Sequence, residues 1–276
     1  MSISEAVFLG IIQGITEFLP VSSSGHLVLL QKILGISEPA LFFDTLLHCG
    51  TLLALAVAMH RDIWNLIRRP FQRITILLIA ATLVTVGIVL LLGERIEDAF
   101  VSGRWLGQAF LVTALALFVS EYLSRRPGSP RNDAEMDWVD AVLIGGLQGI
   151  AVIPGISRSG FTLSGALSRK LERNLAARFS FLLSIPAILG ALVFQVQELY
   201  RISRFQSVNP ATEGLITGIE AAPLAAGVLA AALVGFGAVL LMLRIVHKRS
   251  LTGFGVYTAL LGIYVLLDQH IFHLVF

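Results

Sequence analysis

Two stretches decide the reading of this chain: Gln13-Gly-Ile-Thr-Glu-Phe-Leu-Pro-Val-Ser-Ser-Ser-Gly25 and Gln148-Gly-Ile-Ala-Val-Ile-Pro-Gly-Ile-Ser-Arg-Ser-Gly160. They lie 135 residues apart end to end, and 6 of their 13 aligned positions are identical, where ordinary composition gives roughly one. The chain therefore reads as a duplication. Each copy interrupts an apolar run with Pro, Gly and Ser and carries polar or charged side chains, which are costly at membrane depth and mark function by default.

Composition sets the class. Of the 276 residues, 56% are hydrophobic and 14% charged, with a mean hydropathy of +0.83, against roughly 25% charged residues in a soluble domain. Six stretches approach the roughly 20 residues a bilayer core requires: about Leu41 to Met59, Ile74 to Leu92, Trp105 to Leu123, Phe179 to Leu199, Leu224 to Val246 and Gly253 to Phe272. Segments 4–34 and 138–167 instead hold a short apolar run, a break and a second short run, the pattern of two half-helices in a re-entrant hairpin. A net charge of +2, with basic residues clustered beside apolar runs, excludes a nucleic-acid partner. Cys49, the only cysteine, has no intrachain disulfide partner and reads as a packing residue. The first 18 residues lack a basic n-region and cleavage site and read as mature structure.

Arginine and lysine orient the spans. Arg61, Arg68, Arg69 and Arg73, then Arg125, Arg126 and Arg131, then Arg169, Lys170, Arg173 and Arg178, then Arg244, Lys248 and Arg249 all fall on the cytoplasmic side when six spans are threaded. The loop with Glu94, Glu97 and Asp98 then lies outside, as does 200–214, although it carries Arg201 and Arg204. The sequence thus predicts an all-α integral membrane protein. A first repeat covers 1–123, a cytoplasmic linker 124–137 and a second repeat 138–276. Three spans per repeat make the second copy inverted, so the hairpin tips meet near the midplane.

The tips carry chemistry suited to phosphate. In Pro154-Gly-Ile-Ser-Arg-Ser-Gly-Phe-Thr162 the Pro/Gly pair ends one half-helix, and Ser157 or Ser159 caps the next. A helix start, the hydroxyls of Ser157, Ser159 and Thr162 and the Arg158 guanidinium form an anion site. The plainer reading is a capped break with a snorkelling arginine. In the first tip, Gln13 and Glu17 share a helix face at i, i+4, and Ser22, Ser23, Ser24, Gly25 and His26 follow Pro20. That set allows attack on phosphorus by a serine or by water, with Glu17 or His26 as base, or with Glu17 holding a divalent cation. A buried Glu17–His26 hydrogen bond fixing the turn is the bland alternative. His48, His60, His247, His270 and His273 read as packing or headgroup residues, and Asp44 as a span-end cap. A transporter or flippase of a lipid phosphate is the competing class, since inverted repeats with broken helices also build transporters, and a phosphatase for another lipid diphosphate is a third reading, because apolar spans say little about tail length. The clustering of ionisable groups at two breaks, rather than along a path, favours phosphoryl chemistry.

Gln13 to His26 together with Pro154 to Thr162 closely resembles the two signature motifs of the BacA/UppP-type undecaprenyl-diphosphatases of bacteria, and the resemblance runs over essentially the whole chain. It implies removal of the terminal phosphate from the C55 isoprenoid diphosphate, for recycling the lipid carrier of peptidoglycan synthesis. It also implies an association with bacitracin resistance. Further implications are a multi-pass location in the bacterial cytoplasmic (inner) membrane, a site opening to the periplasmic or outer side, and stimulation by a divalent cation, Mg2+ or Ca2+. Carried over by position, the family's catalytic residues fall on Glu17, Ser23, His26 and Arg158, its phosphate ligands on Ser157, Arg158, Ser159, Thr162 and Gln13, and a metal ligand on Glu17. Having Gln13 where many members carry glutamate leaves Glu17 as the only acid of that motif. The partners implied are the isoprenoid diphosphate, membrane lipids and a homodimer.

Overall fold

The computed structural model describes residues 1–36, 40–206 and 221–276, and these form eleven α-helices with one isolated β-bridge between Arg131 and Leu171. In chain order they are α1 Ile3–Thr16, α2 Ser23–Ile33, α3 Ala40–Ala58, α4 His60–Arg68, α5 Arg73–Ser102, α6 Leu106–Ser124, α7 Trp138–Ile150, α8 Arg158–Ser168, α9 Arg173–Gln206, α10 Ala221–Lys248 and α11 Thr252–Leu267. A short π-helical turn, Asp268–Phe272, closes the last of them.

The two similar stretches and the helices before them share their local chemistry. Ser2 and Asp137 cap α1 and α7 with the same reciprocal box, closed by Glu5 and Asp140 respectively. Ser22 accepts from the Gly25 N–H at the start of α2 as Ser157 does from Gly160 at the start of α8. Each cap satisfies amide donors that a helix start otherwise leaves open. A Cβ on Gly10 would press on the Gly227 carbonyl, and one on Gly145 on the Ala81 carbonyl. These two glycines let α1 lie against α10 and α7 against α5 at backbone contact.

Five helices are long and apolar enough to cross a membrane, and a sixth span results if α3 and α4, bent by 76° at their junction, count as one. Their outward faces stay apolar: Leu83 is 66% exposed, Leu90 78% and Leu233 68%. In water such a surface would be a liability, but hydrocarbon covers it. Inside, Phe18, Leu117, Phe179, Phe181, Leu183 and Met242 form part of the main core. Phe18 meets Phe181 edge to face at 5.6 Å, which fastens the first break to α9.

Three expectations need correction. α5 continues to Ser102, so the stretch with Glu94, Glu97 and Asp98 is helix rather than loop, although those side chains lie outside the described residues. The helix of the fourth span begins at Arg173 rather than Phe179 and runs 34 residues; of the stretch with Arg201 and Arg204, 207–214 lies outside the described residues. Asp44 lies within α3, buried at 5% exposure, and accepts from Gln31 Nε2 at 2.7 Å instead of capping a span.

The linker is pinned to the turn before α9. Arg131 N–H donates to the Lys170 carbonyl at 2.7 Å and Glu172 N–H to the Arg131 carbonyl at 2.8 Å. The Arg131 guanidinium reaches Asp140 at 3.0 Å and Asp137 at 2.9 Å, where Arg169 also binds.

Candidate active site

Both breaks come together. Pro20 cannot extend α1, and the chain turns through Ser22, whose φ of 69° is unusual for a residue with a side chain and costs on the order of 1–3 kcal/mol. In the second break Gly155 takes φ 87°, where a Cβ would also strike Ala109 at 2.7 Å. Ser159 Oγ donates to the Leu19 carbonyl at 2.8 Å, and the Gly155 N–H approaches Ser24 Oγ at 3.5 Å. The starts of α2 and α8, both positive dipole ends, therefore each lie against the other break.

Glu17 is the hub. It is 5% exposed, too buried to stay charged without compensation. Arg158 Nη2 donates to its Oε1 at 2.7 Å, while Ser23 Oγ at 2.7 Å and Gln13 Nε2 at 2.9 Å donate to its Oε2. This places a hydroxyl against a carboxylate that can take its proton. Arg158 spends only part of its fork on Glu17, for Nη1 is buried without a hydrogen-bond partner. Gln13 Oε1 is likewise buried and unpartnered. Orphaned polar atoms are rare in interiors, and Gln148 Oε1, at the matching position of the second stretch, is orphaned as well.

The other predicted residues divide. Ser157 is the cap, with its hydroxyl 3.3 Å from that of Ser159 and its N–H on Thr113 Oγ1 at 3.0 Å. Thr162 does not reach the Glu17 cluster: its hydroxyl meets the Arg158 carbonyl at 2.9 Å and Ser180 Oγ at 2.5 Å. His26 also turns elsewhere. Its Nδ1 lies 2.7 Å from the Ser22 carbonyl, which can only accept, so Nδ1 carries the proton. Its Nε2 lies 2.7 Å from the Tyr257 hydroxyl. The bland expectation of a Glu17–His26 bond is replaced by a Ser22–His26–Tyr257 chain that fixes the strained turn to α11. Sequence reasoning missed His48, assigned to packing, whose Nε2 sits 3.4 Å from Glu17 Oε2. Its Nδ1 is 2.6 Å from the Asp44 carbonyl. No local pattern marks it, because α3 meets the first break only in the folded chain.

For a metal the protein donors are too few. Among the described residues no three His, Cys, Asp or Glu side chains are placed to hold one, and a guanidinium already occupies Glu17.

The described residues make a helical, multi-pass membrane protein that brings a serine, a buried carboxylate and a half-engaged guanidinium together at two joined helix breaks. Residues 6–264 match the model of the family described as "Bacitracin resistance protein BacA", and this chain belongs to that family. It is 44% identical over 269 residues to the undecaprenyl-diphosphatase of Carboxydothermus hydrogenoformans, covering 98% of each chain. It is 40% identical over 265 residues to undecaprenyl-diphosphatase 4 of Bacillus thuringiensis subsp. konkukian, covering 96% of each. To the undecaprenyl-diphosphatase of Methanosphaera stadtmanae it is 36% identical over 285 aligned positions, covering 95% of this chain and 96% of the relative.

Proposed function

We propose that this chain removes the terminal phosphate of undecaprenyl diphosphate, giving undecaprenyl phosphate and inorganic phosphate for recycling of the cell-wall lipid carrier. The observation that carries this reading is the Ser23–Glu17–Arg158 array with its buried, unsatisfied Nη1. A terminal phosphoryl group takes that N–H and the facing helix starts. Glu17 accepts the Ser23 proton as Oγ bonds to phosphorus and the bridging P–O bond breaks, with the electron pair leaving on the lipid monophosphate. Water then displaces Ser23 from the phosphoenzyme. Ser157 and Ser159 hold the second break in place, and His26 holds the first. Glu17, the expected metal ligand, is taken by Arg158, Ser23 and Gln13, so a divalent cation, Mg2+ or Ca2+, would enter on the diphosphate itself and would there neutralise phosphate charge.

In the same reading two repeats, 1–123 and 138–276, are joined by a cytoplasmic linker, 124–137. On that reading α1–α2 and α7–α8 are re-entrant hairpins among six spans of the inner membrane, with the site open to the periplasmic side. Cysteines placed singly at Ser129 and Ser102, in a chain lacking Cys49, should label from opposite faces of intact cells; labelling of both from outside refutes the topology. Activity is tested by phosphate release from purified protein given lipid diphosphates of graded tail length, with and without chelator. Release from none of them refutes the proposal.

A further inference from the structure

The second feature that asks for a partner is α4. The chain turns by 76° between α3 and α4, whereas the stretch 135 residues further on stays inside the unbroken α9, so the duplication does not demand the break. α4 has no buried residue. Ile63 and Leu66 lean on the core, while Trp64 is 53% exposed, Ile67 63% and nearby Phe71 90%. Arg61, Arg68 and Arg69 are exposed and make no ion pair among the described residues. Asp62, the helix's one carboxylate, is taken by Arg178. The Arg68 guanidinium lies 4.8 Å over the Trp64 ring, which aims a cation and an aromatic at the same level. A short helix lying across the end of a span, apolar on one flank and cationic on another, has the build of an interfacial segment.

We infer that α4 and the turn after it form a binding surface for the phosphate headgroups of anionic membrane lipids, with Arg61, Arg68 and Arg69 taking the phosphates and Trp64, Ile67 and Phe71 entering the acyl boundary. The partner is a bilayer lipid and not the substrate of the helix breaks, so the inference does not depend on the proposed reaction. Charge complementarity carries the choice: three unpaired guanidiniums beside an apolar flank match an anionic interface and not a zwitterionic one.

The test uses Trp64 as reporter. The chain has three tryptophans. Trp105 and Trp138 are 55% and 59% exposed and are replaced by phenylalanine. The protein is reconstituted in mixed phosphatidylglycerol and phosphatidylcholine bilayers in which one lipid at a time is brominated on its acyl chains. Brominated phosphatidylglycerol should quench Trp64 as though enriched beside it, on the order of fivefold for each arginine engaged. The preference should vanish in Arg61→Gln/Arg68→Gln/Arg69→Gln. If that variant does not insert, raising the ionic strength over the unmutated arginines reads the same preference. Equal quenching by the two lipids overturns the inference, as does a preference that survives the triple substitution or high salt. Inorganic phosphate at matched ionic strength should leave the preference unchanged; abolition by phosphate alone would assign the arginines to free anions and refute the lipid.

Discussion

Replacing Arg158 by lysine separates charge from geometry at the proposed site. The guanidinium holds Glu17 through Nη2 at 2.7 Å and leaves Nη1 buried and unpartnered. A lysine ammonium keeps the positive charge beside Glu17, so the buried carboxylate remains compensated and the fold survives. It is a point donor, however, and cannot stay on Glu17 while extending a second, coplanar N–H to a phosphoryl oxygen. Loss of one donor aimed at developing charge costs about 2 to 4 kcal/mol of transition-state stabilisation, or roughly 30- to 1,000-fold in rate. Arg158→Ala should also destabilise the chain, because it strands a carboxylate only 5% exposed at a cost of about 3 to 5 kcal/mol. The assay pairs kcat/KM for phosphate release with thermal unfolding in detergent, and the expectation is a crippled but stable lysine variant beside an unstable alanine variant. A lysine variant turning over at the native rate would show that the fork is not used, and would return Arg158 to the role of a structural counter-ion.

Three further outcomes follow from the same structure. If Ser23 attacks, single-turnover hydrolysis in oxygen-18 water should place no label in the first phosphate released, and Ser23→Ala should abolish turnover; label in that first phosphate, with residual activity in Ser23→Ala and a more severe loss in Glu17→Gln, makes water the nucleophile. Gly145→Ala should lower stability by about 1 to 3 kcal/mol despite its better helix propensity, because the new methyl meets the Ala81 carbonyl, which cannot yield; Gly237→Ala, with open space around it, is the control and should be neutral or mildly stabilising in the same melt. The Asp140 backbone N–H, with Arg131 and Arg169, holds the Asp137 carboxyl below its ordinary value, so its contribution is present above about pH 4 and is lost as the pH falls below that; Asp137→Asn should lower the melting temperature at neutral pH and flatten its acid dependence, and an unchanged acid limb would refute the clasp.

What was legible in the sequence was whatever is local. The breaks in the two apolar runs, a cap at Ser157 or Ser159 and the closeness of Gln13 to Glu17 follow from spacing along one chain segment, and the structure places the cap on Ser157 and joins Gln13 to Glu17. What was not legible required knowing which helix lies beside which. His48 is 31 residues from Glu17, and nothing in α3 announces the contact at 3.4 Å. His26, four residues from Ser22, was visible as a polar side chain at a turn, but its aim toward Tyr257, 231 residues away, was set by the packing of α11. Thr162 faces Ser180 for a similar reason: it lies four residues, about one helical turn, past Arg158, beyond the tip and against α9.

The bond between Glu17 and Arg158 spans 141 residues, and that separation sets an order of events during synthesis. Glu17 is made with the first break, while its counter-charge has not yet been made. At roughly 5–20 residues per second the carboxylate waits on the order of ten seconds or more, with Gln13, Ser23 and His48 as the neighbours made before Arg158. The second hairpin then arrives with the guanidinium at its tip and the Ser159 hydroxyl that locks the two breaks together. A half-made chain thus carries the buried acid without the ion that makes it bearable.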